Sequence, residues 1–367
     1  MKVGIHADPA GHKIPGGVGV YVRKLGEALL ATADGNEYKL LVAQQLRDFA
    51  AGSKTHSVIA AGLPLKLLYS GWNWLNVPAV KVDLDVVHAT GLVIPSAGDA
   101  KLVATIHDLA VKEIPHVVPA FWRALYSRGF DVALKKARIV CTVSAAVRER
   151  LIQGYGIEPA RVIVTPEAPG ILPSHPRKAG TAGRLGLEGP YILTVGTLEP
   201  RKNQAMLIRA FAAARDKLPD FKLVVAGAAG WGSTDVLEAI ESERVADRVV
   251  VTGRLEDAEL AALYGSAELF AFPSLYEGFG LPLAEALAFG LPCVASDDPA
   301  LREVAGAAAI FVSPADPQAW SQALVEAAGD EALRKRLRTE GPRRVEPLSW
   351  QKTAEATRQA YRLAVQS

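Results

Sequence analysis

The chain has 367 residues, half of them hydrophobic, and its 41 Lys and Arg against 39 Asp and Glu leave a formal charge of +2. That length suggests two domains at ~150 residues each, and a mean hydropathy of +0.15 with 22% charged residues excludes a disordered or low-complexity chain. No apolar run approaches the ~18 residues of a membrane span, the start MKVGIHADPAG is not expected to be a signal peptide, and Cys141 and Cys293 as the only cysteines exclude a disulfide framework or a cysteine zinc site.

In chain order, short β-rich apolar runs alternate with helical patterns. Strands are predicted at 2–6, 38–43, 85–89, 102–108, 138–144 and 161–165, with helices over about 18–31, 119–136 and 145–153. Residues 169–190 repeat Pro and Gly with little periodicity and read as a linker. The pattern restarts with a strand at 191–196 and a helix from Asn203 to about Lys217, then strands at 221–227, 249–253, 268–274 and 292–296. Buried runs separated by helices mean parallel sheets covered on both faces. The expected class is α/β: two doubly wound Rossmann-like domains, 1–175 and 186–345, facing across a cleft, with ligands at the carboxyl ends of the strands.

The near-neutral total conceals a division. Residues 1–185 hold 22 Lys and Arg against 14 Asp and Glu, or +8, while residues 186–367 hold 19 against 25, or −6, and all seven histidines lie in the first part. Two such surfaces suit different partners.

Four motifs carry chemistry. The stretch IPGGVGVYVRKLGEAL (14–29) sets Gly16, Gly17 and Gly19 at the start of a helix, which suits either an anion on bare N–H groups or an ordinary tight turn. Its G-G-x-G spacing does not fit a dinucleotide fingerprint. GTLEPRKNQAML (196–207) brings Arg201 and Lys202 to a strand-to-helix switch, where Asn203 can cap the helix, as in a pyrophosphate site; the alternative is a solvated loop. In PSLYEGFGLPLAEALAFG (273–290), Glu277 and Glu285 flank a loop with Gly278, Gly280 and Pro282. Such carboxylates serve as acceptors for sugar or ribose hydroxyls, although Glu285 in a first helical turn also has a structural reason to be acidic. His107-Asp108 closes a strand where these folds place ligands, and His88 ends a neighbouring one. Asp83-Leu84-Asp85 precedes its strand and reads as solvated, Asp297-Asp298 reads as a turn, and Ser144 reads as a helix N-cap. No metal site is expected.

Together, GGVG near residue 17, HD at 107–108, GTLEPRKN at 196–203 and Glu-x7-Glu at 277–285 resemble the family 4 retaining glycosyltransferases of GT-B fold, over nearly the whole chain. The form LYEGFGLPLAE is most similar to bacterial mannosyltransferases that use GDP-mannose. The resemblance implies that Arg201 and Lys202 hold the donor pyrophosphate with help from the Gly17 backbone. It implies that Glu277 accepts from the donor sugar and Glu285 from the ribose, and that Phe279, Gly280 and Leu281 line phosphate and sugar through their backbone. His107 would contact the donor sugar, Arg254 and Leu255 would lie near the nucleobase, and a last helix (349–367) would cross back onto the first domain. One departure is TPEAPG (165–170), where many members carry an Asn-Gly turn, so that Glu167 would alter the acceptor side.

The mechanism expected follows from charge. Arg201, Lys202 and helix N-termini would stabilise the departing nucleoside diphosphate without a metal, and retention would come from front-face attack. The acceptor is expected on the first domain. There Trp72 and Trp74, with Arg123, Arg128, Lys135 and Lys136 further on, suit either an anionic membrane carrying a lipid-linked acceptor or ordinary amphipathic helices. The expected activity is hexose transfer, mannose from GDP-mannose foremost, to a saccharide or lipid-linked acceptor in cell-surface polysaccharide or glycolipid synthesis. The expected location is cytoplasmic, at the inner membrane face, with no nucleic-acid partner. The alternatives are a sugar-nucleotide epimerase of the same fold and a non-catalytic sugar-nucleotide-binding subunit.

Overall fold

The computed structural model describes residues 1–12, 16–32, 34–46, 56–58 and 63–366, with backbone only at 56–58. Ile14 and Pro15 of the glycine-rich stretch lie outside the described residues. The chain divides into Met1–Glu167 with Ser349–Ser367, and Ala168–Leu348.

Among the described residues, the first unit has seven parallel strands: β1 (Lys2–His6), β2 (Glu37–Val42), β3 (His56–Val58), β4 (Val86–Ala89), β5 (Lys101–Ile106), β6 (Ile139–Thr142) and β7 (Val162–Val164). Their order is β3-β2-β1-β4-β5-β6-β7. The chain therefore winds outward from β1 in one direction and then in the other, so its switch point lies between β1 and β4, paired through Val3↔Val86 and Ile5↔His88. The second unit repeats this with β8 (Tyr191–Val195), β9 (Lys222–Ala226), β10 (Val249–Gly253), β11 (Leu269–Phe272), β12 (Cys293–Ser296) and β13 (Ala309–Val312). The order β10-β9-β8-β11-β12-β13 puts its switch between β8 and β11. Central strands such as β4, β6, β11 and β12 are buried along their whole length, which is why they read as unbroken apolar runs. The sequence reading lacks β3 and β13. Both are edge strands, paired on one side only.

The segment after β7 is not a loose linker. Ile171 is buried, residues Thr181–Arg184 form a helical turn, and Lys178 and Arg184 reach Glu259 at 2.9 and 2.7 Å. It belongs to the second unit, so the division falls at Glu167/Ala168 rather than near 175. Gly227 shows how closely the chain folds at the end of β9: a Cβ there would lie 1.9 Å from the Gly196 carbonyl oxygen.

The terminal helix Trp350–Gln366 belongs to the first unit. It buries Thr353, Ala354, Thr357, Ala360, Tyr361 and Ala364, the three- and four-residue spacing of one helix face. Thr353 Oγ1 donates to the Pro166 carbonyl at 2.6 Å, and Tyr361 Oη lies 2.8 Å from His88 Nδ1. His88 is fully buried, with its Nε2 2.7 Å from Thr105 Oγ1. Burial, reinforced by the nearby His107 and His6, pushes its pKa down to about 3, so it is neutral. Tyr361→Phe would leave one buried ring nitrogen without its partner. The expected loss is about 1–3 kcal/mol in urea unfolding, and a variant as stable as wild type would remove this bond from the docking of the helix.

Candidate functional site

The ligand end of the second unit is built at its switch point. After β8, residues Pro200–Lys202 form a tight turn carrying Arg201 and Lys202, and the loop after β11 carries Glu277. Lys202 Nζ lies 2.6 Å from Glu277 Oε1, and Arg201 Nη1 lies 3.2 Å from Oε2. Arg201 also donates to the Tyr276 carbonyl at 3.0 Å and to Glu199 Oε1 at 2.9 Å. The Leu275 N–H donates to the Arg201 carbonyl at 2.8 Å, closing the two loops on each other. Glu277 is 6% exposed. Burial alone would raise its pKa, but Lys202 and Arg201 outweigh it and hold the carboxyl at about 2.

Asn203 stands at the N-cap position of the helix Gln204–Ala213, but it does not cap that helix. Its φ is +56°, and its amide donates instead to the carbonyls of Pro273 and Pro314 at 3.1 and 2.9 Å. It therefore ties the turn to the loop after β11, in place of the capping role that the sequence suggests. A pocket of about 330 Å³ lined by Glu199, Asn203, Gln204, Arg209, Asp235 and Glu238 adjoins the same turn. Three carboxylates against one Arg give it the wrong sign for a diphosphate.

Glycine is required at 280. Its φ is +95°, and a Cβ would stand 2.5 Å from Leu301 Cδ2. Phe279 and Leu281 on either side are buried. Glu285 lies in the helix Leu281–Ala288, where Tyr264 Oη donates to Oε2 at 2.9 Å and the Ile171 N–H to Oε1 at 3.2 Å. Burial raises its pKa to about 7 in spite of these bonds. The structure therefore brings Arg201, Lys202 and Glu277 into contact but gives Glu285 separate partners. Exposed Arg254 and half-buried Leu255 follow β10, which β9 separates from β8. Glu199 and Tyr264 are site residues that sequence reasoning missed. Glu199 was legible inside GTLEPRKN, whereas nothing in the sequence marks Tyr264.

In the first unit, exposed Gly17 sits in the first turn of the helix Gly16–Leu30. His107 follows β5, with Nε2 2.9 Å from the Thr90 carbonyl and Nδ1 3.1 Å from Glu167 Oε1. The ring of Tyr21 meets it edge-on at 4.6 Å. Asp108 turns away, accepting the Ala110 N–H at 3.0 Å. Trp72 and Trp74 separate: Trp72 is buried, with Nε1 donating to the Pro78 carbonyl at 3.0 Å, while Trp74 is exposed. Trp72 is thus core and not an interfacial residue. Asp83 and Asp85 both bond Lys2, Asp298 caps the helix Pro299–Ala305, and Ser144 caps Ala145–Tyr155, so these are structural. Among the described residues, no three His, Cys, Asp or Glu side chains come together as they would to hold a metal ion, and no helix is long and apolar enough to cross a membrane.

Comparison with known proteins extends this geometry. Residues 182–344 match the family described as Glycosyl transferases group 1, and residues 15–168 match Glycosyltransferase Family 4. The chain is 28% identical over 269 residues to O-antigen chain mannosyltransferase B of Escherichia coli, covering 72% of this chain and 70% of that one. It is 32% identical over 301 residues to the MMP alpha-(1->4)-mannosyltransferase of Mycolicibacterium hassiacum, covering 77% and 71%. Anabaena HepE, solved in complex with UDP and glucose, shares the fold with a TM-score of 0.75 at 16% identity over 98% of both chains.

The raised pKa of Glu285 has a testable sign. A carboxyl raised from its ordinary 4.5 to about 7 contributes stability that is full below the lower value and lost as pH rises through the upper. Relative to wild type, Glu285→Gln should gain melting temperature as pH rises from about 4.5 to about 7, then hold that gain. Parallel melting curves across that range would remove the raised titration.

Proposed function

Because the chain belongs to the family 4 glycosyltransferases of GT-B fold, we propose that it moves a hexose from a nucleotide sugar, GDP-mannose first among donors, to a saccharide or lipid-linked acceptor. The reaction proposed is retaining and metal-independent, in the synthesis of a cell-surface polysaccharide or glycolipid. The two mannosyltransferase relatives support the sugar, and UDP with glucose in HepE supports a nucleotide-sugar donor.

One observation carries the donor site: two cations at the carboxyl end of β8 already converge on an anion, the Glu277 carboxylate. The same N–H donors would take the diphosphate. As the anomeric bond breaks, negative charge grows on the leaving diphosphate, and Arg201 and Lys202 would stabilise it where it forms. A ligand that draws the cations away would uncover the Glu277 carboxyl for a hydrogen bond with a sugar hydroxyl. Phe279, Gly280 and Leu281 would frame the sugar and phosphate through their backbone, and Leu255 would border the base. Glu285 would take the ribose only by exchanging its bond from Tyr264 for one from a ribose hydroxyl. The exposed amide of Gly17 suits an anion on the first unit.

Arg201→Ala or Lys202→Ala should weaken nucleoside-diphosphate binding by about 1–3 kcal/mol in calorimetry, while Glu277→Gln should abolish transfer without weakening the diphosphate. Unchanged affinity in both cation variants would overturn the site. An epimerase would instead turn over the donor with no acceptor present, and a silent binding subunit would release no sugar.

A membrane face for the first unit rests on exposed apolar side chains beside cations. Leu67, Trp74, Leu75, Val77 and Phe121 are all exposed, and Lys66 lies 5.1 Å from the Phe121 ring centroid. Exposed Arg123 extends that face. Such a surface would lie in an anionic lipid interface. Trp74→Glu with Leu75→Glu should reduce co-sedimentation with phosphatidylglycerol vesicles ~10-fold and leave diphosphate binding intact. Equal sedimentation of variant and wild type would refute that face.

A further inference from the structure

His107 does not offer a free ring N–H. Its Nε2 lies 2.9 Å from the Thr90 carbonyl, which can only accept, so Nε2 carries a hydrogen. Its Nδ1 lies 3.1 Å from Glu167 Oε1, so both ring nitrogens face acceptor oxygens. Glu167 is 4% exposed and rides on a fixed peptide: the Thr165 N–H donates to Thr142 at 2.7 Å, and Thr353 of the terminal helix bonds the Pro166 carbonyl at 2.6 Å. The carboxylate is therefore aimed by β6, β7 and the last helix.

We propose that Glu167 is the positioning residue of His107: with the Thr90 carbonyl it fixes the ring plane and keeps both ring nitrogens as donors. His107 is then a stationary positive charge at the carboxyl end of β5 and not a proton-transfer group, since each N–H is committed to a partner within the unit. Its surroundings agree. Burial opposes the charge, but Glu167, the Thr90 carbonyl and Asp108 outweigh it and hold the imidazole above its ordinary value, and His88 on β4 is neutral and adds no repulsion. Tyr21, edge-on from the helix Gly16–Leu30, stays neutral because burial raises its hydroxyl far above the ordinary tyrosine value. A fixed cation there would act on a ligand electrostatically, at no cost in reorganisation during the reaction.

The test uses the full chain and a readout independent of catalysis. Imidazole ¹⁵N chemical shifts of His107, assigned by loss of the signal in His107→Asn, are followed against pH in wild type, Glu167→Gln and Glu167→Ala. Wild type should lose the second ring proton at higher pH than an ordinary imidazole, and both Glu167 variants should lose it at least about one pH unit lower than wild type. Glu167→Gln preserves shape, so its shift would be a charge effect, and its circular dichroism should match wild type. A His107 titration unchanged in Glu167→Gln overturns the proposal, including the case where only Glu167→Ala loses stability. The kinetic arm alone rests on the glycosyl-transfer reading: kcat should fall ~10-fold in Glu167→Gln with donor KM within about two-fold. The imidazole shift without any donor turnover in wild type would support the pairing and sink that reading instead.

Discussion

The ligand end of the second unit depends on one buried carboxylate held by two cations. Glu277 would be costly to bury alone, and Arg201 and Lys202 would repel each other without it. The arrangement is satisfied only when the turn after β8 and the loop after β11 meet, so a local charge balance fixes the relation of two segments some 75 residues apart. Asn203 and the Leu275 N–H reinforce the same closure through backbone groups. The chain reverses its winding between β8 and β11, the kind of point where open α/β sheets place ligands.

In the first unit three histidines are held by protein partners. His6 is buried 3.2 Å from Asp8, His88 is held between Tyr361 and Thr105, and His107 between Glu167 and Thr90. The concentration of histidine in the first half does not make one surface: His6 and His88 are buried, His12 and His107 are half-buried, and His116 is exposed. His88 and His107 each meet a partner at both ring nitrogens, as befits groups whose unpaired burial is costly. The exposed charge of the first unit includes Lys and Arg such as Lys66 and Arg123.

Much of the fold was legible in the sequence because buried parallel strands write themselves as apolar runs. KVGIH, YILTV and LFAF are each continuous, and each became a central strand. What escaped was short or long-range. HSV is three residues, two of them polar, AIFV is an edge strand paired on one side only, and the Pro- and Gly-rich segment after Glu167 looked free because its anchors, Glu259 and Glu285, come about 80 to 115 residues later. Asn203 misled for a related reason: the residue suits a cap, but two distant carbonyls compete for its amide and win.

The sequence by itself determined the two-part α/β architecture and the glycosyltransferase family, and it singled out Arg201, Lys202 and Glu277 as candidates, because these depend on residue type and short spacing. Only the tertiary structure decided which charges neutralise which. It set Glu277 against both cations, gave Glu285 to Tyr264, buried Trp72 while leaving Trp74 exposed, and joined Glu167 to His107. Electrostatic partnership falls off with distance in space and not along the chain, so residues 60 apart can share one proton without any trace in the local sequence.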